Sequence, residues 1–225
     1  AFVRRDPGRA GAWTLAGAAA LIFLICLYGY LNALHPRIRT IQVVVGKPAG
    51  ALERVRIAVA SDIHLGTIIR NSRLIRIVSM INDLDPDIVL LPGDIVDESV
   101  PVEEEEKMTA TLASIRAPLG VYAVSGNHEF YGGIEQATGY LKRAGVRVLE
   151  DEAVLVADAF VLAGRVDPTA VRFGRTRMGL AEILGTVDRC RPVLLLDHEP
   201  FKLEEAEANG VDLQVSGHTH AGQLF

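Results

Sequence analysis

The 225-residue chain is poor in cysteine and has no concentration of positive charge. Its two cysteines, Cys26 and Cys190, lie far apart, so they cannot form the disulfide framework of a small secreted scaffold. The formal net charge is -5, and the lysines and arginines form no stripe. The composition therefore gives no sign of a nucleic-acid surface. A chain of this length has room for one large domain or two small ones.

Charge is also missing from one long stretch near the N-terminus. Residues 10–34 contain no formally charged side chain, and a helix of this length can cross a hydrocarbon core of about 30 Å. Trp13, Tyr28 and Tyr30 lie near its ends, as in an aromatic belt. A buried core helix and a secretory signal peptide are the alternatives, but a signal peptide has a shorter apolar region, ~7–15 residues. We predict a transmembrane helix over about residues 11–34 and a cell-membrane location.

The residues around this predicted helix leave its orientation open. Three basic residues precede it and three follow it, so the positive-inside rule does not decide which side holds the rest of the chain. These residues are Arg4, Arg5, Arg9, Arg37, Arg39 and Lys47. Because the chain begins with Ala1, it is compatible with a fragment whose earlier helices precede this one. We expect an N-terminal segment over residues 1–36, a Pro- and Gly-containing linker over 37–53, and the main domain over 54–225.

Histidine is scarce, but its placement is informative. Five of the six histidines follow apolar runs that predict β-strands, and carboxyl or amide side chains stand beside them. The runs are Val55–Ala60 before Asp62 and His64, Ile88–Leu91 before Asp94 and Asp97, Val121–Val124 before Asn127 and His128, Val193–Leu196 before Asp197 and His198, and Leu213–Val215 before His218 and His220.

Helical patterns separate these predicted strands. They cover Ser72–Leu84, Val102–Ile115, Ile134–Ala144, Met178–Val187 and Pro200–Asn209. Strands that alternate with helices predict an α/β protein with a largely parallel sheet, whose ligands gather outside the carboxyl ends of the strands. Between Val146 and Gly164 three short strand-like runs joined by tight turns predict a second, partly antiparallel sheet. We therefore expect all five polar clusters at one edge.

Asp, Asn and His side chains together form a mixed oxygen and nitrogen donor set, which suits transition metals. Each residue taken singly is equally compatible with an ordinary turn or core position, but five clusters at one sheet edge are not. One metal ion would leave several donors idle. Two ions about 3.5–4 Å apart, bridged by a carboxylate, would use them and could activate a phosphoryl group and a water. A single-zinc hydrolase is the remaining metal-dependent alternative.

The ordered blocks resemble a known family. The series Asp62-x-His64, Gly93-Asp94-x-x-Asp97, Gly126-Asn127-His128-Glu129, His198 and Gly217-His218-x-His220 closely resembles the calcineurin-like metallophosphoesterase superfamily. Two stretches, Asp197-His198-Glu199-Pro200 and Ser216 to Gln223, are similar to its bacterial membrane-anchored branch. Over about residues 54–225 the resemblance implies a four-layer αββα sandwich of two mixed sheets. Because family members continue beyond the last histidine block, we expect closing strands after Phe225.

The resemblance also implies a role for each candidate residue. Two divalent ions, Mn, Fe or Zn, are expected: the first held by Asp62, His64, Asp94 and His220, and the second by Asp94, Asn127, His198 and His218. His128 would be the catalytic imidazole that protonates the leaving oxygen, oriented by Asp97. In one departure, Glu98 stands where the family usually has an arginine that contacts phosphate.

The expected activity follows from these roles. It is that of a membrane-anchored dinuclear phosphohydrolase, which cleaves a phosphodiester or pyrophosphate bond by attack of a metal-bridging hydroxide. The expected partners are a phosphoester substrate, lipid-linked or nucleotide-containing, and a bilayer bound through the N-terminal helix. The alternative is a non-catalytic, metal-stabilised scaffold or binding protein of the same fold. Degenerate proteins of that kind usually lose a ligand or the catalytic imidazole, and this chain retains both.

Overall fold

A computed structural model describes residues 7–98, 100–185 and 187–220. They fall into two compact units, divided between Val43 and Val44. Several residues on which the sequence expectations drew lie outside the described ranges: Arg4, Arg5, Ala221, Gly222, Gln223 and Phe225.

The first unit contains one long helix, α1, which spans Pro7–Ala33. From Gly11 to Ala33 it is long and apolar enough to cross a membrane, and every side chain in that stretch is exposed. A helix that is apolar on all sides belongs in a protein interior or in a membrane. The exposure of these side chains gives no support to a buried core helix.

The second unit contains two four-stranded sheets. The first sheet has the order β1-β2-β3-β4, and its described strands are all parallel: Ile57–Val59, Ile88–Pro92, Val121–Val124 and Arg147–Val148. The second sheet has the order β5-β6-β7-β8, with strands Glu152–Val156, Phe160–Gly164, Val193–Leu196 and Leu213–Val215. In it β5 and β6 are antiparallel, whereas β6, β7 and β8 are parallel.

Helices cover the outer faces of both sheets. On the first sheet they are α2 (Asn71–Asp83), α3 (Val102–Ala113) and α5 (Ile134–Arg143), and on the second α6 (Leu180–Ile183) and α7 (Leu203–Ala208). Helix α4 (Asn127–Gly132) and a 3₁₀ helix over Pro168–Phe173 share a separate small core. Alternation along β2 shows the layering, because Val89 and Leu91 join the core beneath α2, α3 and α5, while Ile88 and Leu90 join the core between the sheets. A third core lies between the second sheet and α6 and α7. The four-layer αββα arrangement is thus confirmed.

The structure differs from the sequence expectation in several elements, among them a 3₁₀ helix over Pro168–Phe173 that was not expected. The run Val146–Leu149 was expected in the second sheet, but its strand β4 pairs in parallel with β3 in the first. Parallel neighbours need a crossover connection, and α4 and α5 supply it. Helix α4 was not expected at all. It begins at Asn127, so the third polar block lies in its first turn.

Part of the expected linker contacts the second unit. Lys47 Nζ lies 2.7 Å from Asp212 Oδ2, and Ala49 and Leu52 pack against the core between the sheets. Residues 47–52 therefore pack against the sandwich near β8, the strand that precedes the last polar block.

Candidate metal centre and catalytic site

The candidate residues follow the carboxyl ends of five parallel strands, three from the first sheet and two from the second. Asp62 and His64 come after β1, Asp94 and Asp97 after β2, Asn127 and His128 after β3, His198 after β7, and His218 and His220 after β8. Loops outside the carboxyl ends of parallel strands meet at one edge. The structure brings all nine side chains together there.

Three side chains form a first group of possible metal ligands: Asp62, His64 and His220. His64 Nε2 lies 3.1 Å from His220 Nε2, which in turn lies 3.3 Å from Asp62 Oδ1. Ions with bonds of about 2.0–2.2 Å to nitrogen and oxygen hold neighbouring ligand atoms at about this separation. The spacing and chemistry of the group therefore fit one divalent ion.

A second group lies around Asp94, which is almost completely buried. His198 Nε2 is 3.1 Å from Asp94 Oδ2, and Asn127 Oδ1 lies 3.2 Å from His198 Nε2 and 3.0 Å from His218 Nδ1. Asp94 also forms a group with His64 and His128, whose ligand atoms lie close to its carboxylate. It thus lies between the two sets of donors, as a bridging carboxylate requires, and the residues fit a pair of ions.

The His128 side chain lies beside both groups. Its Nδ1 is 2.9 Å from Asp97 Oδ1, and the same carboxylate oxygen is 2.5 Å from His64 Nδ1. With Nδ1 held by a carboxylate, Nε2 is the ring nitrogen that remains for a substrate. Asp97 therefore orients two imidazoles, one expected to bind metal and one expected to move a proton. The pairing with His64 was not expected from the sequence.

The backbone at the site is unusual. Asp62, His64, Asp94, His218 and His220 all have positive φ, between 49° and 68°. Residues other than glycine adopt this left-handed region at a cost, and such residues concentrate at functional sites. Here the conformation turns the chain sharply after β1, β2 and β8, which brings the side chains back over the strand ends.

Two glycines provide the space that this convergence needs. A Cβ atom built on Gly126 would lie 2.2 Å from Asp94 Oδ1, and one built on Gly217 would lie 2.5 Å from Asp62 Oδ2. Any side chain at either position would therefore displace a candidate metal ligand. Gly126 and Gly217 therefore contribute to the site by leaving room for these ligands.

The buried carboxylate of Glu129 holds the Asp94 loop in shape. It accepts hydrogen bonds from the backbone N–H groups of Asp94, Ile95, Val96 and Gly126. Burial, which has the largest influence, raises the pKa of Glu129, although the bonds from Val96 and Gly126 oppose the rise. The sequence analysis quoted Glu129 in the third block without a role. Glu129 stands three residues after the loop glycine Gly126, but its role depends on the burial of its side chain, which the sequence alone does not show.

Asp94 and His198 each stabilise the charged form of the other. Burial favours the neutral form of each, but their mutual hydrogen bond and attraction outweigh it, so the pKa of Asp94 is lowered and that of His198 is raised to about 9. His198 Nδ1 also lies 2.8 Å from the Pro92 carbonyl oxygen, which fixes the ring. That contact directs Nε2 toward Asp94 and the centre, the second-layer support typical of metal-binding histidines.

A second buried ion pair supports the His198 loop from behind. Asp197 Oδ2 is 2.6 Å from Arg177 Nη2 and 3.4 Å from Arg165 Nη1. Arg177 also donates to the Val166 carbonyl oxygen. Burial raises the pKa of Asp197 to about 6, although both arginines act against the rise. The loop that carries His198 is thereby tied to the segment after β6.

A largely parallel αββα sandwich with adjoining His/Asp donor groups and an imidazole–carboxylate pair defines a class, the metal-dependent phosphoesterases. The chain belongs to the calcineurin-like phosphoesterase family, whose match covers residues 55–222. The superfamily expected from the sequence is thus confirmed, as is the assignment to enzymes that hydrolyse phosphoric esters.

Individual relatives agree with this assignment. The chain is 36% identical over 204 residues to an uncharacterized metallophosphoesterase of Aquifex aeolicus, covering 90% of this chain and 76% of that one. It is 32% identical over 220 residues to a transmembrane protein with metallophosphoesterase domain of Danio rerio, covering 92% of this chain but 50% of the relative. The crystal structure of TT1561 from Thermus thermophilus shares the fold, with a TM-score of 0.50 and 15% identity over 72% of this chain and 81% of that one.

Proposed function

We propose that the chain is a membrane-anchored phosphohydrolase that uses two divalent ions to cleave a phosphodiester or pyrophosphate bond. Asp62, His64, Asp94 and His220 would hold the first ion, and Asp94, Asn127, His198 and His218 would hold the second. The observation that carries this proposal is the burial of Asp94 between the two donor groups.

Mn, Fe and Zn all suit a set of carboxylate, amide and imidazole donors. When bound, the two ions supply Lewis acidity that withdraws charge from the phosphoryl oxygens and lowers the pKa of water. In this division of labour His218 and His220 serve different ions, although only Thr219 separates them. The strand end of β8 then fixes the spacing between both halves of the centre.

The protein's own acid is the His128 imidazole. Asp97 holds its Nδ1 at 2.9 Å, which fixes the orientation of the ring. From this position the other ring nitrogen donates a proton to the leaving oxygen as its bond to phosphorus breaks. The side chain of His128 is 40% exposed, so the leaving group departs toward solvent. Glu98 carries a carboxylate, so it supplies no positive charge here, and it accepts hydrogen bonds from Thr67 N and Oγ1.

The substrate class rests on α1 and on the centre together. We propose that α1 spans the membrane and keeps residues 54–225, the phosphoesterase domain, near a bilayer. A phosphodiester or pyrophosphate carrying a lipid or nucleotide group would meet the site there. Residues 37–53 would serve as the connection, of which the last part contacts the domain through Lys47 and Leu52.

Hydrolysis of bis-p-nitrophenyl phosphate by the purified, metal-loaded chain tests the proposal. We expect two ions per chain by elemental analysis, and a loss of activity of at least roughly 10²-fold in Asp94→Asn. His128→Ala should slow an alkyl phosphodiester by about 10²–10⁴-fold, but slow the nitrophenyl ester less, because nitrophenolate leaves without a proton. Asp85→Asn, which neutralises a fully exposed carboxyl, is the matched control.

Two results would count against the proposal. Equal, slow hydrolysis by the wild type, Asp94→Asn and His128→Ala would indicate a non-catalytic scaffold. A single tightly bound ion in an active enzyme would indicate a mononuclear hydrolase instead.

A further inference from the structure

Two exposed aromatic side chains form a surface beside the catalytic imidazole. The side chains of Tyr131 and Phe173 are 57% and 51% exposed, although large aromatic residues are usually well buried. Their ring centroids lie 6.1 Å apart, with the planes inclined at 55°. We call this pair the aromatic shelf.

The aromatic shelf rests on a small core of its own. Tyr131 lies in the last turn of α4, which follows β3 of the first sheet, and Phe173 ends the 3₁₀ helix after β6 of the second sheet. Beneath them the buried residues Phe130, Val166 and Ala170 pack together, and the Phe130 ring is 5.8 Å from that of Phe173. Each half of the sandwich thus contributes one ring: Phe173 packs against Phe130, Tyr131 packs against Phe173, and both residues remain about half exposed.

The position of the shelf relates it to one side of the reaction. The Tyr131 ring packs edge-to-face against the His128 ring, with centroids 6.0 Å apart. Because His128 protonates the leaving oxygen in the proposed mechanism, the group attached to that oxygen lies next to Tyr131. A leaving group larger than a few atoms therefore meets the shelf as it is bound.

We propose that the aromatic shelf binds a flat aromatic ring in the leaving group, and so makes the enzyme selective for phosphoesters of aromatic or nucleobase-bearing alcohols. This inference rests on the proposed function for the direction of the leaving group. Stacking of one base on an aromatic side chain is worth a roughly 5- to 150-fold change in affinity. Two rings that are about half exposed and held in place by neighbouring aromatic side chains provide that stacking surface without a large entropic cost.

A phosphonate pair separates ring binding from turnover. Titration calorimetry of the metal-loaded chain with phenylphosphonate and with methylphosphonate compares two phosphoryl groups that differ in the ring alone, and neither compound is hydrolysed. We expect phenylphosphonate to bind about tenfold more tightly, or about 1.4 kcal/mol. The preference should fall to within about twofold in Tyr131→Ala and in Phe173→Ala, and should persist in Tyr131→Phe, which keeps the ring. Competition by adenosine and by 4-methylphenol then distinguishes a nucleobase from a phenol as the preferred ring.

Phe201→Ala is the matched control, because Phe201 is also exposed and packs edge-to-face on a site histidine, His218, at 6.2 Å. Among the described residues it has no ring contact with Tyr131 or Phe173. The phenyl preference should survive in this variant. It would overturn the inference if phenylphosphonate bound no more tightly than methylphosphonate, if neither bound, or if Phe201→Ala abolished the preference equally. A preference that persists in a chain without phosphohydrolase activity would reject the proposed function and keep the shelf.

A lipid contact is the competing use of exposed aromatic rings, and fluorescence tests it. In a Trp13→Phe background, Tyr131→Trp places the only indole of the chain on the shelf. Ring binding is supported if p-nitrophenylphosphonate quenches the indole fluorescence. The emission should then show no blue shift when the chain is transferred from detergent to phosphatidylglycerol vesicles. A blue shift in vesicles without quenching would show insertion into lipid and overturn the inference.

Discussion

At the scale of single residues, the site is defined as much by backbone conformation as by ligand chemistry. Five candidate ligands adopt left-handed φ, a conformation that costs of order 1–3 kcal/mol per residue and persists only where surrounding contacts enforce it. For Asp94 those contacts are visible: its N–H is held by Glu129, while its carboxylate accepts from the His128 N–H. The site is therefore preorganised by buried hydrogen bonds in the protein itself.

The space at Gly126 gives a residue-scale prediction. Its φ of -103° is open to any residue, so Gly126→Ala introduces only a methyl group, placed 2.2 Å from Asp94 Oδ1. We expect the Asp94 carboxylate to move, the number of bound ions to fall below two by elemental analysis, and phosphodiester hydrolysis to drop at least roughly tenfold.

Gly139→Ala is the control for this prediction. A Cβ there meets only Arg143 Nη1, at 3.5 Å, and replacing a glycine inside a helix should stabilise α5 by about 0.5–1 kcal/mol without changing the ion count. Full metal loading and activity in Gly126→Ala would show that the Asp94 loop yields readily, contrary to the contacts that Glu129 makes.

At the scale of elements, most strands and helices and the order of the site residues along the chain were predictable. Which of these elements pack together was not. Apolar runs such as Ile88–Leu91 and Val193–Leu196 predict buried strands because both faces of each sheet are covered. The pattern cannot tell which sheet a short strand joins, which is why β4 was placed in the wrong one. The role of Glu129, the contact of Asp97 with His64 and the meeting of Tyr131 with Phe173 depend on contacts between segments distant in sequence.

The loop after β6 yields an element-scale prediction. Arg177→Met leaves the buried Asp197 carboxylate with its weaker partner, Arg165, and should lower the free energy of unfolding by about 3 kcal/mol. The double variant Arg177→Met/Asp197→Asn removes both charges and should recover at least about 1 kcal/mol of that loss. Chemical denaturation in mild detergent measures both effects.

Arg147→Met provides the comparison, because its pair with Glu152 is exposed and should be worth no more than about 1 kcal/mol. A loss in Arg177→Met as small as that in Arg147→Met would mean that the ion pair does not stabilise the loop. Additive effects in the double variant would mean that Asp197 and Arg177 act independently.

At the scale of the whole molecule, the centre joins the two sheets. Asp62, His64 and Asp94 come from the first sheet, and His198 and His218 from the second, so ions bound between them would link the halves of the sandwich. The aromatic shelf joins the same halves through Tyr131 and Phe173. Ligand binding at this edge would therefore depend on how the two sheets pack, because the side chains that line the site follow strands of both sheets.

The proposed attachment of this domain to a bilayer depends on α1, whose uncharged run gives a whole-molecule prediction. The full chain should remain in the membrane fraction after washing with high salt or carbonate. Ile22→Arg/Ile25→Arg places two charges at the helix centre, each costing about 2.5–3.5 kcal/mol, and should shift the chain to the soluble or aggregated fraction. Gly11→Arg/Ala12→Arg puts the same charges at the helix end, where arginine side chains can reach water, and should stay in the membrane. Release of the unaltered chain without detergent would show that α1 does not span the bilayer.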